Sequence, residues 1–86
     1  MKWSCVIVTM DNGEEIEVIR MRQGDACSFR EFENRPEVRE FIETLCDIEE
    51  AWDEGTTIEV NDLTSGKMVT ISGAHITDIR VHAKEE

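Results

Sequence analysis

Residues 3–22 read WSCVIVTMDNGEEIEVIRMR, and this stretch decides the predicted fold. Two runs rich in β-branched and other apolar residues flank Asn12 and Gly13. Asn-Gly between two such runs is a strong signal for a β-hairpin with a two-residue loop, because both turn positions of that loop need a positive φ. The sequence therefore predicts that the chain opens with two antiparallel strands.

The length of that loop also fixes the predicted register. It places Trp3 opposite Arg22 and Val8 opposite Glu17. The first strand is apolar on both of its faces, unlike a strand with one face in water. We therefore expect it to occupy a central position in the sheet.

A long amphipathic helix is predicted after the hairpin. Pro36 suits its first position, where a missing N–H costs nothing, and Gly55 is a C-terminal stop signal. A short helical turn is expected before it, because Ser28 and Glu31 have the spacing of a capping box. Apolar residues recur between the two ends at spacings of three and four, which defines one buried stripe. The stripe consists of Val38, Phe41, Ile42, Leu45, Ile48 and Trp52.

Three strand-like segments, TTIEVN, KMVTI and ITDIRVH, follow the helix. The predicted order is ββ-αα-βββ. Strands grouped at both ends with helix between them are typical of an α+β fold. We expect an antiparallel sheet of about five strands with one main amphipathic helix on one face, and residues 1–86 form a single domain.

Composition narrows the classes of partner. The chain has 20 acidic and 9 basic residues and a net charge of −11. Such a chain repels nucleic acid and anionic membranes and attracts basic partners. It shows no signal-peptide pattern and no apolar run near the ~20 residues that span a bilayer, so the expectation is a soluble cytoplasmic protein.

The residues that usually carry catalysis or bind metals form no recognisable pattern. The three cysteines include no C-x-x-C pair, which favours reduced structural thiols, and the reactivity of Cys27 in a predicted loop stays open. His75 and His82 have no third ligand close in sequence. No nucleophile motif is present. We therefore predict no enzyme activity, no metal and no cofactor.

The predicted helix is strongly acidic. Residues 35–55 carry eight carboxylates and two arginines. Carboxylates three and four residues apart weaken a helix, and those near its C-terminus oppose its dipole. One interpretation is a solvated face; the other is a row of anions that engages Lys and Arg side chains of a nucleic-acid-binding protein. The candidate partner-binding residues, on the side opposite the apolar stripe, are Glu40, Glu43, Asp47, Glu50 and Glu54.

A second candidate site lies on the hairpin. Trp3, Arg20 and Arg22 share one face of the predicted sheet and could stack on and pair with a nucleotide or another anion. The alternative is that the arginine stems only cover the indole. A homodimer that uses this face stays open, as does a structural or assembly subunit whose acidity only confers solubility.

Three segments together resemble, in general type, the small acidic proteins that phages and mobile elements encode against bacterial defence systems, anti-CRISPR proteins among them. These segments are the hairpin WSCVIVTMDNGEEIEVI, the helix RPEVREFIETLCDIEEAWDEG and the closing strands TIEVNDLTSGKMVTISGAHITDIRV. The likeness covers most of the chain but aligns no motif. It implies a protein-binding inhibitor that acts as a nucleic-acid mimic on a CRISPR-Cas-type complex in the host cytoplasm. A second group of phage proteins of similar type implies a homo-oligomer that sequesters nucleotide signals.

Overall fold

The computed structural model describes residues 2–22 and 34–85. The predicted helical turn with Ser28 and Glu31, and the loop with Cys27, lie outside these residues. Within them, no helix has both the length and the apolar content needed to cross a membrane. The elements are β1 (Lys2–Met10), β2 (Glu15–Arg22), α1 (Pro36–Glu54), β3 (Thr57–Asp62), β4 (Lys67–Ser72), a 3₁₀ turn (Gly73–His75) and β5 (Ile76–Glu85).

The predicted α+β class is confirmed, and the order of the strands and of the main helix matches the prediction, but the strands form two sheets rather than one. The first has the order β2-β1-β5, with β1 central as predicted, and the second is the β3-β4 hairpin. The N–H of Leu63 donates to the carbonyl of Glu17 over 2.9 Å and links the sheets. A β-bulge in β2 lies beside Glu17, next to this link.

The opening hairpin has a three-residue loop, so the predicted two-residue loop is wrong. The N–H of Met10 donates to the carbonyl of Glu14 over 2.8 Å, and the N–H of Gly13 donates to the carbonyl of Met10 over 3.0 Å. Gly13 has a φ of 86°, and no described residue other than glycine has a positive φ, which excludes the predicted turn at Asn12. The loop is instead a β-turn followed by a left-handed glycine.

A bulge in β2 compensates for the longer loop. The predicted pairing of Trp3 with Arg22 is confirmed, but the register shifts between Val6 and Ile7 and leaves Val18 without a partner in β1. Beyond the shift, Ile7 pairs with Glu17 and Val8 with Ile16, so the predicted pairing of Val8 with Glu17 is wrong. A one-residue shift moves a side chain to the other face of a sheet. It therefore takes the Glu17 carboxylate off the core face.

The apolar core lies between the first sheet, α1 and the β3-β4 hairpin. Val38, Phe41 and Ile48 of α1 are buried as predicted, whereas Ile42 is 50% exposed and Trp52 is 40% exposed. Among the described residues, the helix packs mainly on β2, β3 and the 3₁₀ turn, and these contacts leave the two side chains partly in solvent. The buried core cluster consists of Val6, Val8, Ile16, Val18, Met21, Val38, Phe41, Ile48, Val60, Ile71 and Ile76.

The helix ends at a close backbone contact. Gly55, with a φ of 70°, caps α1 as predicted by donating its N–H to the carbonyl of Ala51. The N–H of Gly73 then donates to the carbonyl of Thr56 over 2.7 Å. A Cβ added at Gly73 would lie 1.8 Å from the Ala51 carbonyl oxygen. Only glycine therefore fits where the 3₁₀ turn meets the last turn of α1.

Candidate partner-binding surface

We define the acidic face of α1 by its five predicted residues. All five side chains are exposed. Among residues 2–22 and 34–85, no ion pair includes any of the five. No described basic side chain therefore neutralises the acidic face. Its members are Glu40, Glu43, Asp47, Glu50 and Glu54.

The two arginines of the helix segment are engaged elsewhere. Nε of Arg35 donates to Oε1 of Glu37 over 2.8 Å at the start of the helix. Nη2 of Arg39 donates to the side-chain oxygen of Asn34 over 3.2 Å. Both contacts lie at the N-terminal end of α1. The C-terminal half of the acidic face therefore receives no neutralising partner from its own helix.

A groove of about 380 Å³ runs beside the acidic face between α1, β2 and β3. Glu40 and Asp47 of the acidic face line it, and Arg20 of β2 contributes one cation to the same lining. Its lining also includes Leu63, 42% exposed, and Met68, 59% exposed. Apolar surface beside carboxylates suits Lys and Arg, whose aliphatic stems pack on apolar groups while their charged ends pair with anions. The sequence did not predict this groove, because it requires three separate segments to meet.

We expect Glu50→Lys to raise the free energy of unfolding by about 1 kcal/mol, because Glu50 lies three or four residues from Asp47, Asp53 and Glu54. The substitution converts these repulsions into attractions and places a positive charge near the C-terminus of the helix dipole. Urea denaturation measures the change. Glu14→Lys, at an exposed position outside the helix, is the control with the same charge change. An equal gain in both variants would attribute the effect to net charge alone.

The second candidate site is assembled only in part. Trp3 pairs with Arg22 in the sheet, and the guanidinium carbon of Arg20 lies 5.5 Å from the centroid of the Trp3 ring. Nε of Arg20, however, donates to Oε1 of Glu17 over 3.0 Å. The indole Nε1 of Trp3 is buried and has no hydrogen-bond partner among the described residues. The predicted residues therefore lie close together, but the guanidinium of Arg20 already binds the carboxylate of Glu17.

Glu17 is the residue of this cluster that the sequence did not predict, because its position depends on the bulge. Nζ of Lys84 also donates to it, over 3.0 Å at Oε2, and its side chain is only 12% exposed. Burial acts to raise the pKa of Glu17, but hydrogen bonds from Arg20, Lys84 and the Cys5 thiol outweigh it and lower the pKa to about 2. Burial, followed by the hydrogen bond to the Glu17 carboxylate, raises the pKa of Cys5. The cluster therefore holds one anion and one neutral thiol.

We expect Glu17→Gln to lower the free energy of unfolding at neutral pH by about 1–2 kcal/mol, a value that allows for solvent screening of its partly exposed partners. Because the pKa of Glu17 is lowered in the folded state, its ionised carboxylate stabilises the fold fully at pH values above the unfolded-state pKa, near 4.5. This stabilisation is lost as the pH falls toward about 2. Denaturation of both proteins at several pH values measures the difference. The two stabilities should converge in acid; a difference that is constant with pH would contradict the assignment.

Comparison of the chain with protein-family models, with curated proteins and with solved structures found no match. In the part of the chain that the structure describes, no three His, Cys, Asp or Glu side chains come together as metal ligands would. The surface must therefore be interpreted from its own geometry and charge.

Proposed function

We propose that this chain is a non-enzymatic protein-binding inhibitor whose acidic face occupies the basic nucleic-acid-binding surface of a host defence complex of the CRISPR-Cas type. One observation carries the proposal: five exposed carboxylates on one helix face have no ion-pair partner among the described residues. The complex, rather than nucleic acid itself, is the direct partner, because the net charge of −11 repels phosphates.

The arrangement of the acidic face costs helix stability, which favours a binding role over simple solvation. Carboxylates three or four residues apart lie about 5–6 Å from each other and repel. The last turn of α1 contains no basic residue to balance the helix dipole. Solubility needs only dispersed charge, so it does not require this concentration on one helix face.

The helix also provides the rigidity that an inhibitor of this kind needs. A row of anions on a packed helix is already ordered before binding, so less conformational entropy is lost on association. The groove beside it supplies Leu63 and Met68 as apolar contacts for the stems of Lys and Arg. Charge would direct the encounter, and the groove would add contact area.

Affinity capture followed by displacement tests the proposal. The tagged protein is incubated with a host lysate at low salt, and the retained complex is identified and then loaded with labelled nucleic acid. We expect the retained complex to bind nucleic acid and to release it when the untagged protein is added, with an apparent affinity that falls as salt rises. Retention of a protein without nucleic-acid binding, or binding without displacement, would overturn the proposal.

The nucleotide-sequestering alternative, with Trp3, Arg20 and Arg22, stays a prediction. Arg20 pairs with Glu17, so it would have to leave this carboxylate or bind both groups at once before an anion could bind there. The assembly-subunit alternative is also untested. A melting shift with a nucleotide panel, followed by loss of that shift in Arg22→Ala, would favour sequestration over the leading proposal.

A further inference from the structure

The strand β5 forms one edge of the first sheet. It spans ten residues, Ile76–Glu85, and pairs with β1. Within residues 2–22 and 34–85, no strand pairs with its other side. Exposed edges are usually protected by shortness, charged side chains, proline, a bulge or a covering segment, because unpaired backbone groups invite another strand. The strand β5 carries charged side chains and one irregularity at its start. The edge of β5 is long, and its sequence ITDIRVHAKE contains no proline.

The backbone hydrogen bonds show which residues of β1 face β5. Met10 directs its N–H and its carbonyl toward the β2 side, where they bond with Glu14 and Gly13. Backbone groups alternate in direction along a strand, so Thr9 and Ile7 direct theirs toward β5. The hydroxyl of Thr77, which donates to the carbonyl of Thr9 over 3.2 Å, agrees with this direction.

The same alternation identifies the groups that β5 offers to a new strand. Ile7 pairs with Arg80, so the backbone groups of Arg80 point inward, toward β1. Those of Ile79, Val81 and Ala83 consequently point away from the sheet. A second strand can bond to these three residues without disturbing the existing ladder.

Charge complementarity identifies a second copy of β5 as the strand that fits. An antiparallel pair centred on Val81 places Val81 opposite its own copy and Ile79 opposite Ala83. It also places Asp78 opposite Lys84, which already pairs with Glu17 of its own chain and would share its charge between the two carboxylates. The two-fold symmetry repeats this attraction. All nine residues from 77 to 85 are paired in this register.

The neighbouring symmetric registers fit less well. Centring on Arg80 places two guanidinium groups opposite each other, and centring on His82 places Arg80 opposite Lys84, which are like charges. Centring on Ile79 pairs Asp78 with Arg80 but leaves residues 83–85 unpaired. If the two-fold axis passes between two residues, each residue that points outward in one strand lies opposite a residue that points inward in the other. Such registers cannot form the hydrogen-bonded ladder.

Exposed apolar side chains lie on the same side as this edge. Val81 pairs with the buried Val6 and so belongs to the core face, yet it is 54% exposed. Trp52 and Ile79, together with two carboxylates of α1, line a cavity of about 490 Å³ between α1 and β5. Ile42 of α1 is also 50% exposed. Extending the sheet beyond β5 would cover apolar surface that the single chain leaves in water.

We propose that two copies of this chain associate through β5 in the antiparallel register centred on Val81. The first sheets of the two copies then form one continuous six-stranded sheet. The two-fold axis of such a pair is perpendicular to the sheet, so both α1 helices, each with its acidic face, lie on the same side. The net charge of each copy opposes association, and salt screens this repulsion.

Sedimentation of the full chain over a concentration series at physiological salt tests the proposal. The wild-type protein should form a dimer, and Val81→Arg, which sets two guanidinium groups against each other, should raise the dimer dissociation constant about tenfold or more. Met68→Arg is the matched control, because Met68 is an exposed apolar strand residue of similar accessibility, at 59%. The Met68→Arg protein should dimerise with the same dissociation constant as the wild-type protein. A wild-type monomer throughout the series, or an equal loss in both variants, would overturn the proposal.

Hydrogen exchange of the wild-type protein provides a test that no misfolded variant can obscure. The amides of Ile79, Val81 and Ala83 should exchange more slowly as concentration rises, whereas that of Arg80, already directed toward β1, should change much less. Concentration-independent exchange at all three amides would exclude this interface. Neither result depends on the capture experiment, so this proposal and the proposed function can fail separately.

Discussion

Gly73→Ala should lower the free energy of unfolding by about 3 kcal/mol, a large part of the total stability of a domain this small. The new Cβ would lie 1.8 Å from the Ala51 carbonyl oxygen and 2.9 Å from the backbone nitrogen of Trp52. Both obstacles are helix backbone, so the contact cannot be relieved by a change of rotamer. The 3₁₀ turn would have to move away from α1 and weaken the hydrogen bond between Gly73 and Thr56. Urea denaturation followed by tryptophan fluorescence measures the loss.

Gly66→Ala separates steric contact from backbone strain. Gly66 has a φ of 74° but nothing within 4 Å of its added Cβ. The substitution should therefore cost only about 1 kcal/mol, the usual penalty for a side chain in the left-handed region. If Gly73→Ala lowered the free energy of unfolding no more than Gly66→Ala does, the predicted clash between the added Cβ and the backbone of α1 would be wrong.

Replacing Glu43, Asp47 and Glu50 together with lysine should weaken binding to the captured complex by at least about 100-fold, because each substitution opposes like charges across the interface. The fold should survive, since all three side chains are exposed. The variant should be as stable as the wild-type protein or more stable, because repulsion along α1 is removed. Titration of the complex at two salt concentrations measures the affinity, and denaturation measures the stability.

A variant with the same charge change outside α1 is the control. Glu14→Lys, Glu85→Lys and Glu86→Lys together should reduce affinity far less, because they alter only the long-range field, which salt screens. Comparable losses in the two triple variants would show that overall charge, rather than the acidic face, determines binding. An unchanged affinity of the helix variant at low salt would refute the proposed function.

The helix and the central strand were predictable because their signals are local. Pro36 and Gly55 mark the two ends of α1 with backbone geometry that few other residues provide, and the charge pattern between them follows from the helical repeat. The apolar character of both faces of β1 likewise indicated its central position. The exposure of the acidic face followed from the same periodicity.

The loop of the opening hairpin was not predictable from Asn12 and Gly13, because the same residues suit a two-residue or a three-residue loop. The difference of one residue then determined which face Glu17 occupies. The exposure of Ile42 and Trp52 depends on where α1 lies across the sheet, which no local pattern specifies. The groove and the contact at Gly73 likewise arise only when distant segments meet.

The crowding of negative charge along α1 has an energetic consequence for recognition. Folding brings these carboxylates together against their mutual repulsion, and the packed core supplies the work. Crowding them on one helix face adds their separate fields at the same point outside the protein. In the proposed complex, the work done by the core in folding would thus appear as a stronger field at the helix surface that a basic partner meets.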